Sequence, residues 1–273
     1  MRLSSFSHTG RVRHNNEDAC LIIPPWSSYA IARKVCLFVV ADGMGGQNAG
    51  EIASGISMKE SLEFFQQGKC DCATVQEVEE LIGHVNARVW IHSQSKAETS
   101  GMGNTLTLML VAGNQAVIGH IGDSRLYRLR SNRLEQLTCD HTLVAEQVRM
   151  GKLSPEAARV HPTRHILSRA IGSRQFVTPD IFSIEIMKGD TFMLCSDGIS
   201  GMLDDGAIEN VLRTSSPETA SVKLVDAANN AGGKDNSTAV VVNFDQLPVT
   251  FPAIISFNRI VMMLKNMRNT GAV

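Results

Sequence analysis

The feature that most restricts this chain is that its apolar, β-rich runs end on aspartate. Residues 37–41 run into Asp42-Gly43, residues 117–121 into Gly122-Asp123, and residues 192–195 into Ser196-Asp197-Gly198. Two more acidic pairs or singles stand where strands begin, Glu17-Asp18 ahead of 19–23 and Asp235-Asn236 ahead of 237–242. In an antiparallel sheet the end of one strand lies beside the start of its neighbour, so these carboxylates are expected to converge on one edge. Carboxylates held within a few ångströms repel and raise one another's pKa unless cations neutralise them. Hard oxygen ligands without a His or Cys cluster suit Mg²⁺ or Mn²⁺, and the glycine after Asp42 leaves a backbone carbonyl open to an ion. Two ions bridged by a carboxylate, about 3.5–4 Å apart, clamp a hydroxide for in-line displacement at phosphorus. Arg13, just ahead of Glu17-Asp18, supplies a guanidinium shaped to bind phosphate oxygens in pairs.

Strand patterns are expected at 35–41, 105–111, 116–121, 124–129, 181–186, 191–195 and 237–242. Helical patterns fall at 49–65, 74–95, 141–150, 204–212 and 217–229, and Ser154-Pro155-Glu156 reads as an N-cap with proline at the first helical position. The links at 112–115 and at Gly122-Asp123 are short enough to reverse the chain, which favours antiparallel neighbours. The pattern is α+β, with sheets covered by helices. After Pro248 the composition changes: Arg259, Lys265 and Arg268 occur with no acid, among methionines and β-branched residues. The chain therefore divides into a domain at 1–246 and an appendage at 247–273, expected to pack on the domain as a helix, to fray as a tail, or to serve as a partner or membrane-surface anchor.

A chain of 273 residues with 43% hydrophobic side chains can bury a large core, which excludes wholesale disorder. With 26 basic against 27 acidic residues it carries no global footprint for nucleic acid. Of the 6 cysteines only Cys70 and Cys72 are close, so neither a disulfide framework nor a zinc site is expected, and reduced thiols fit a cytoplasmic protein. The N-terminus lacks the apolar core of a signal peptide, and no apolar run is long enough to span a membrane. A monomer is the default expectation.

Gly10-Arg11-Val12-Arg13-His14-Asn15-Asn16-Glu17-Asp18, Ala41-Asp42-Gly43-Met44-Gly45-Gly46, Gly122-Asp123-Ser124-Arg125, Cys195-Ser196-Asp197-Gly198 and Gly233-Lys234-Asp235-Asn236-Ser237 resemble, in order, the motifs of the metal-dependent protein phosphatase 2C (PPM) family, in its compact bacterial form. The resemblance covers about residues 1–246. It implies two antiparallel β-sheets packed as a sandwich flanked by helices, and hydrolysis of phosphoserine and phosphothreonine on proteins by a metal-bridging hydroxide, without a covalent phosphoenzyme. By the same resemblance Asp42 is the bridging ligand, Gly43 the carbonyl ligand, and Asp197 and Asp235 the other ligands of the first ion. Glu17 and Asp18 match the acidic pair near the second ion. Asp123 matches the aspartate that, with Asp197, holds a weaker third. Arg13 matches the phosphate-binding arginine, and Asn236 a supporting residue. Asp140-His141-Thr142 and 150–158 resemble the start of the family's flap over the substrate groove. Implied partners are phosphoproteins and a cognate Ser/Thr kinase.

Two departures stand out. Met44 and Gln47 occupy places where many family members carry a histidine considered as general acid, which leaves a water on a divalent ion as the favoured proton donor and His14, His141 and His161 as candidates. Asn104 replaces the usual threonine of G-T-T. Competing chemistries lack their residues. No cysteine has an arginine six positions later, there is no G-x-S-x-G elbow and no phosphate-binding G-K-S or G-K-T, and Gly122-Asp123 lacks the histidine-rich set of calcineurin-type enzymes. A phosphoprotein-binding module and a phosphatase for small esters are the remaining alternatives.

Overall fold

The computed structural model describes residues 1–45, 49–245 and 261–263. In chain order the strands are β1 (Arg2–His8), β2 (Asp18–Ile23), β3 (Val35–Met44), β4 (Gly103–Asn104), β5 (Leu106–Ala112) and β6 (Gln115–Ile121). They continue as β7 (Arg125–Arg130), β8 (Arg133–Gln136), β9 (Asp180–Glu185), β10 (Thr191–Cys195), β11 (Ser237–Asn243) and β12 (Val261–Met263). The helices are α1 (Ser28–Arg33), α2 (Ala49–Gln66), α3 (Val75–Ser93), α4 (Leu143–Arg149), α5 (Pro155–Val160), α6 (Asp197–Ser200), α7 (Asp205–Thr214) and α8 (Pro217–Asn230).

Strand parity sorts the core into layers. In β3, Cys36, Phe38 and Val40 face a cluster shared with Phe192, Leu194, Val240 and Val242 of the other sheet. Leu37, Val39 and Ala41 face outward, onto Met58 and Phe65 of α2 and Leu81 and Val85 of α3. Tyr127, Met193 and Val241 point away from the interior of the sandwich onto Ile208 and Leu212 of α7 and Leu224 of α8. Burial on both faces explains why these strands read as continuous apolar runs rather than alternating ones. One sheet runs β1-β11-β10-β7-β8 and the other β12-β2-β3-β5-β6-β9, with β4 also on β3. All recorded pairings are antiparallel. The result is a helix–sheet–sheet–helix sandwich, in agreement with the α+β expectation.

The residues at 112–115 form a two-residue hairpin, with Ala112 opposite Gln115. The reversal at Gly122-Asp123 differs from expectation. It carries the chain out of one sheet and into the other, since β6 pairs with β5 and β9 while β7 pairs with β10 and β8. Gly122 makes this turn at φ +107, with Thr105 packed where a Cβ would stand. β1 was not anticipated: its Ser-rich sequence hides a strand that forms by full register with β11, from Arg2↔Asn243 to His8↔Ser237. Ser154 caps α5 through Ala157 N–H with Pro155 at the first turn, as expected. Of the appendage, only β12 falls among the described residues, paired with β2. At 261–263 this strand replaces the expected helix; the rest of 247–273 and the substitution at Gln47 lie outside the described residues.

α2 and α3 are joined by a buried carboxylate. Glu60, 4% exposed, accepts from Arg88 Nε at 3.1 Å and meets His84 Nε2 at 2.9 Å. Burial favours the neutral acid, but Arg88 and His84 outweigh it and hold Glu60 below its ordinary pKa of 4.5. Stability from a lowered carboxylate is present above the unfolded pKa and lost as pH falls through the folded one. Glu60→Gln is therefore expected to cost about 1–2 kcal/mol at pH 7. The gap to the unaltered protein should shrink below about pH 4, as measured by thermal unfolding at stepped pH.

Candidate active site

Two of the acids face each other because parity continues past the strand ends. Asp18 lies two residues before Cys20 and Asp42 two after Val40, so both stay on the inner face of the sheet, and they sit opposite each other in register. In the other sheet Ser196 follows Leu194 by two and reaches across the sandwich to donate to Asp18 Oδ2 at 2.7 Å. Asp197 opens α6, and Asp235 precedes β11, the neighbour of β10. The carboxylates thus meet between the ends of two sheets, where one sheet edge was expected.

Their electrostatics record the crowding. Burial pushes Asp18 up to about 7, with Asp197 and Asp235 adding to the rise against the lowering hydrogen bonds of Ser196 and Thr238. Asp42 is driven well above the ordinary range by burial, then by Asp18, Asp197, Asp123 and Asp235. Asp123 is raised by burial and by Asp197 and Asp140. Asp197 is raised by burial and by Asp235, against lowering contributions from Asp42, His165 and Arg13.

The surrounding atoms are consistent with a cation-binding set. Asp18 Oδ1 is buried and has no hydrogen-bond partner, which costs free energy unless something positive meets it. Gly43 donates its N–H to the Glu17 carbonyl at 3.2 Å, and a Cβ there would strike the carbonyls of Gly50 and Glu17. The backbone is therefore drawn in as close as only glycine permits. The donors are all hard oxygens, the chemistry of Mg²⁺ or Mn²⁺. Among the described residues no group of three or more His, Cys, Asp or Glu side chains stands in coordinating geometry.

Asp235 accepts from Arg13 Nη2 at 2.8 Å and from the Asn236 N–H at 2.9 Å. Asn236 is buried and fully used: its Oδ1 accepts from the Glu17 N–H at 2.6 Å while Nδ2 donates to the Thr9 and Asn15 carbonyls, each at 2.8 Å. It stitches the N-terminal segment carrying Arg13 and Glu17 to the start of β11. Thr105, the residue after the departing Asn104, accepts the Asp42 N–H at 2.9 Å and meets Ser124 Oγ at 2.7 Å. Asn104 itself pairs with Gly43 in register, accepts from Ser57 Oγ at 2.9 Å and exchanges backbone hydrogen bonds with Ile171. It touches the site through Gly43.

Of the three histidines read as proton-donor candidates, none is brought to the acids as a free donor. His141 is fully buried with both ring nitrogens engaged. His161 Nδ1 is held by Thr163 Oγ1 at 2.9 Å, and His14 is exposed. The imidazole that approaches is one the sequence reading missed: His165 Nδ1 lies 3.9 Å from Asp197 Oδ2. No local pattern marks it, because it sits in an irregular segment between α5 and β9.

A helix-clad double sheet with acids clustered between the sheet ends defines the class of divalent-metal hydrolases. The comparisons narrow the class. The model of the protein phosphatase 2C family matches residues 3–237. The chain is 37% identical over 239 residues to the serine/threonine phosphatase stp of Listeria welshimeri, covering 85% of this chain and 92% of that one. The crystal structure of the Mycobacterium tuberculosis serine/threonine phosphatase PstP/Ppp superposes with a TM-score of 0.80 at 32% identity, over 90% of this chain and 99% of that one. The catalytic domain of PstP in complex with 2 manganese ions superposes at 0.76, with 32% identity over 88% and 96% of the two chains. This chain belongs to the protein phosphatase 2C family and is a serine/threonine protein phosphatase of that metal-dependent group. Among the described residues no helix is long and apolar enough to cross a membrane.

Proposed function

We propose that residues 1–246 form the catalytic unit and that it hydrolyses phosphoserine and phosphothreonine by direct attack on phosphorus, with no covalent phosphoenzyme. The observation that carries this reading is the convergence of Asp18, Asp42, Asp197 and Asp235 at the strand ends, crowded enough to raise three of their pKa values. When bound, two divalent ions, Mn²⁺ or Mg²⁺, would activate water for the attack and neutralise charge that builds on the phosphate. Asp42 would serve both ions; the Gly43 carbonyl, Asp197 and Asp235 would hold one, Glu17 and Asp18 the other, and Asp123 with Asp197 a weaker third.

Arg13 turns part of its guanidinium to Asp235 and keeps further N–H groups for phosphate oxygens. Asn236 fixes Glu17 relative to Asp235 through the hydrogen bonds described above. The substrates are phosphoproteins, selected through the flap that opens at Asp140-His141-Thr142 and continues at 150–158, and a cognate Ser/Thr kinase makes them. All 6 cysteines are free thiols, which suits a reducing cytoplasm.

The test is phosphate release from a phosphothreonine peptide, with chelator and then with Mn²⁺, beside a small aryl phosphate. Metal-dependent release that favours the peptide supports the reading. Retained peptide binding with no turnover would mean a binding module, and equal turnover of both substrates a small-ester phosphatase. In the same assay Arg13→Ala is expected to lower kcat/KM about 10- to 100-fold. Arg13→Lys should recover only part, because an ammonium cannot reproduce the two-pronged contact; full recovery by lysine would refute the bidentate role.

A further inference from the structure

The reversal that delivers Asp123 is held by a buried imidazole with no assigned part in the reaction. His141 is 0% exposed. Its own N–H donates to the Gly122 carbonyl at 2.7 Å, and its Nδ1 accepts from the Gly122 N–H at 3.2 Å. Both backbone groups of the residue before Asp123 are therefore bound to one partner. With Nδ1 accepting, the ring proton sits on Nε2, which donates to Asp180 Oδ2 at 3.0 Å. Asp180 is fixed in turn by Arg169 Nη1 at 2.7 Å. The His141 carbonyl accepts from the Ser168 N–H at 2.8 Å. The His120 ring lies against it, centroids 4.6 Å apart, and burial holds the His141 pKa below its ordinary value, so the ring is neutral at pH 7.

A turn that leaves one sheet for the other has no ladder to hold it, and Gly122 at φ +107 has little intrinsic preference for this conformation. Something outside the sheets must fix where Asp123 points. We propose that His141 is a positioning residue: through Gly122 it sets the orientation in which Asp123 presents its carboxylate, with Asp180 and Arg169 fixing the ring. The inference rests on the reading of Asp123 as a cation ligand. Groups that orient a ligand from behind cost about 10- to 100-fold in metal affinity or activity when removed.

Two substitutions separate this role from packing. In His141→Asn the side-chain amide oxygen takes the place of Nδ1 and keeps the acceptor for Gly122, but loses Asp180. In His141→Gln the amide nitrogen takes the place of Nε2 and keeps Asp180, but loses the acceptor. Three measurements are made on each, with Asp123→Asn in parallel: Mn²⁺ binding isotherms, amide hydrogen exchange at Gly122 in chelated protein, and kcat and KM for a phosphopeptide, with melting temperature as the control.

The expected result is that His141→Gln speeds Gly122 exchange, weakens the weakest Mn²⁺ step about tenfold and lowers kcat with little change in KM. His141→Asn should stay within about threefold of the unaltered protein. If both variants behave alike, or if loss of Mn²⁺ binding merely tracks melting temperature, the positioning role is overturned while Asp123 keeps its assignment. If Asp123→Asn leaves the isotherm and turnover unchanged, the assignment of Asp123 falls, and the inference falls with it.

Discussion

Asp42→Asn and Asp197→Asn are each expected to lower Mn²⁺-dependent phosphate release from a phosphothreonine peptide by about a thousandfold, since a ligand of the reaction centre supplies several kcal/mol of transition-state stabilisation. The loss should not come from unfolding. The Asp42 N–H bond to Thr105 is made by the backbone and survives the change. The carboxylate removed is one whose charge the fold resists, because burial and four neighbouring acids all raise its pKa. In chelated protein the Asp42→Asn melting temperature is expected to equal or exceed that of the unaltered chain. Activity within about tenfold of the unaltered enzyme, with Mn²⁺ saturating, would remove Asp42 from the centre of the mechanism.

Without divalent ions, the protein is expected to lose stability as pH rises from about 4 to above 7, the reverse of ordinary acid denaturation. The sign follows from proton counting. A carboxyl whose native pKa is raised binds more protons folded than unfolded, so its contribution is full below the unfolded pKa and vanishes as pH climbs through the folded one. Asp18 moves from 3.8 to about 7, which sets the window, and Asp42, Asp123 and Asp197 shift the same way. Bound cations reverse the penalty. At free Mn²⁺ a hundredfold above its Kd the gain is about 2.7 kcal/mol, or about 5–10 °C in Tm for a domain of this size. Scanning calorimetry with chelator and with Mn²⁺ at pH 5, 6 and 7.5 checks it. A chelated Tm that rises across this range, or an Mn²⁺ gain equal at pH 5 and 7.5, would contradict the raised carboxylates.

Most of the scaffold was legible because its signals are local. The apolar runs that became β3, β5, β6, β10 and β11 are buried on both faces, so they read as strands wherever they pair. α3 announces itself through the Thr74–Glu77 capping box, and α8 through Pro217 at its first turn. β1 was illegible because its strand character comes from β11, at the far end of the chain, and not from its own serines. The acids at strand ends were legible as a set, since each stands beside an apolar run with a glycine or asparagine next to it or one place removed.

The sequence by itself determined the chemistry at this centre: five acidic segments in fixed order, an arginine ahead of the first, and glycine where the backbone must come close. Periodicity could not say which strands share a sheet, because pairing partners are chosen by burial across the whole chain. Only the tertiary structure decided that Gly122-Asp123 crosses between sheets, that Ser196 of one sheet meets Asp18 of the other at 2.7 Å, and that His165, from a segment without pattern, comes within 3.9 Å of Asp197. Residue types fix what a group can bind. Which groups meet is fixed by how two sheets stack: parity aims Asp18 and Asp42 between the layers, whereas Asp197 and Asp235 reach them from the turns that leave β10 and enter β11.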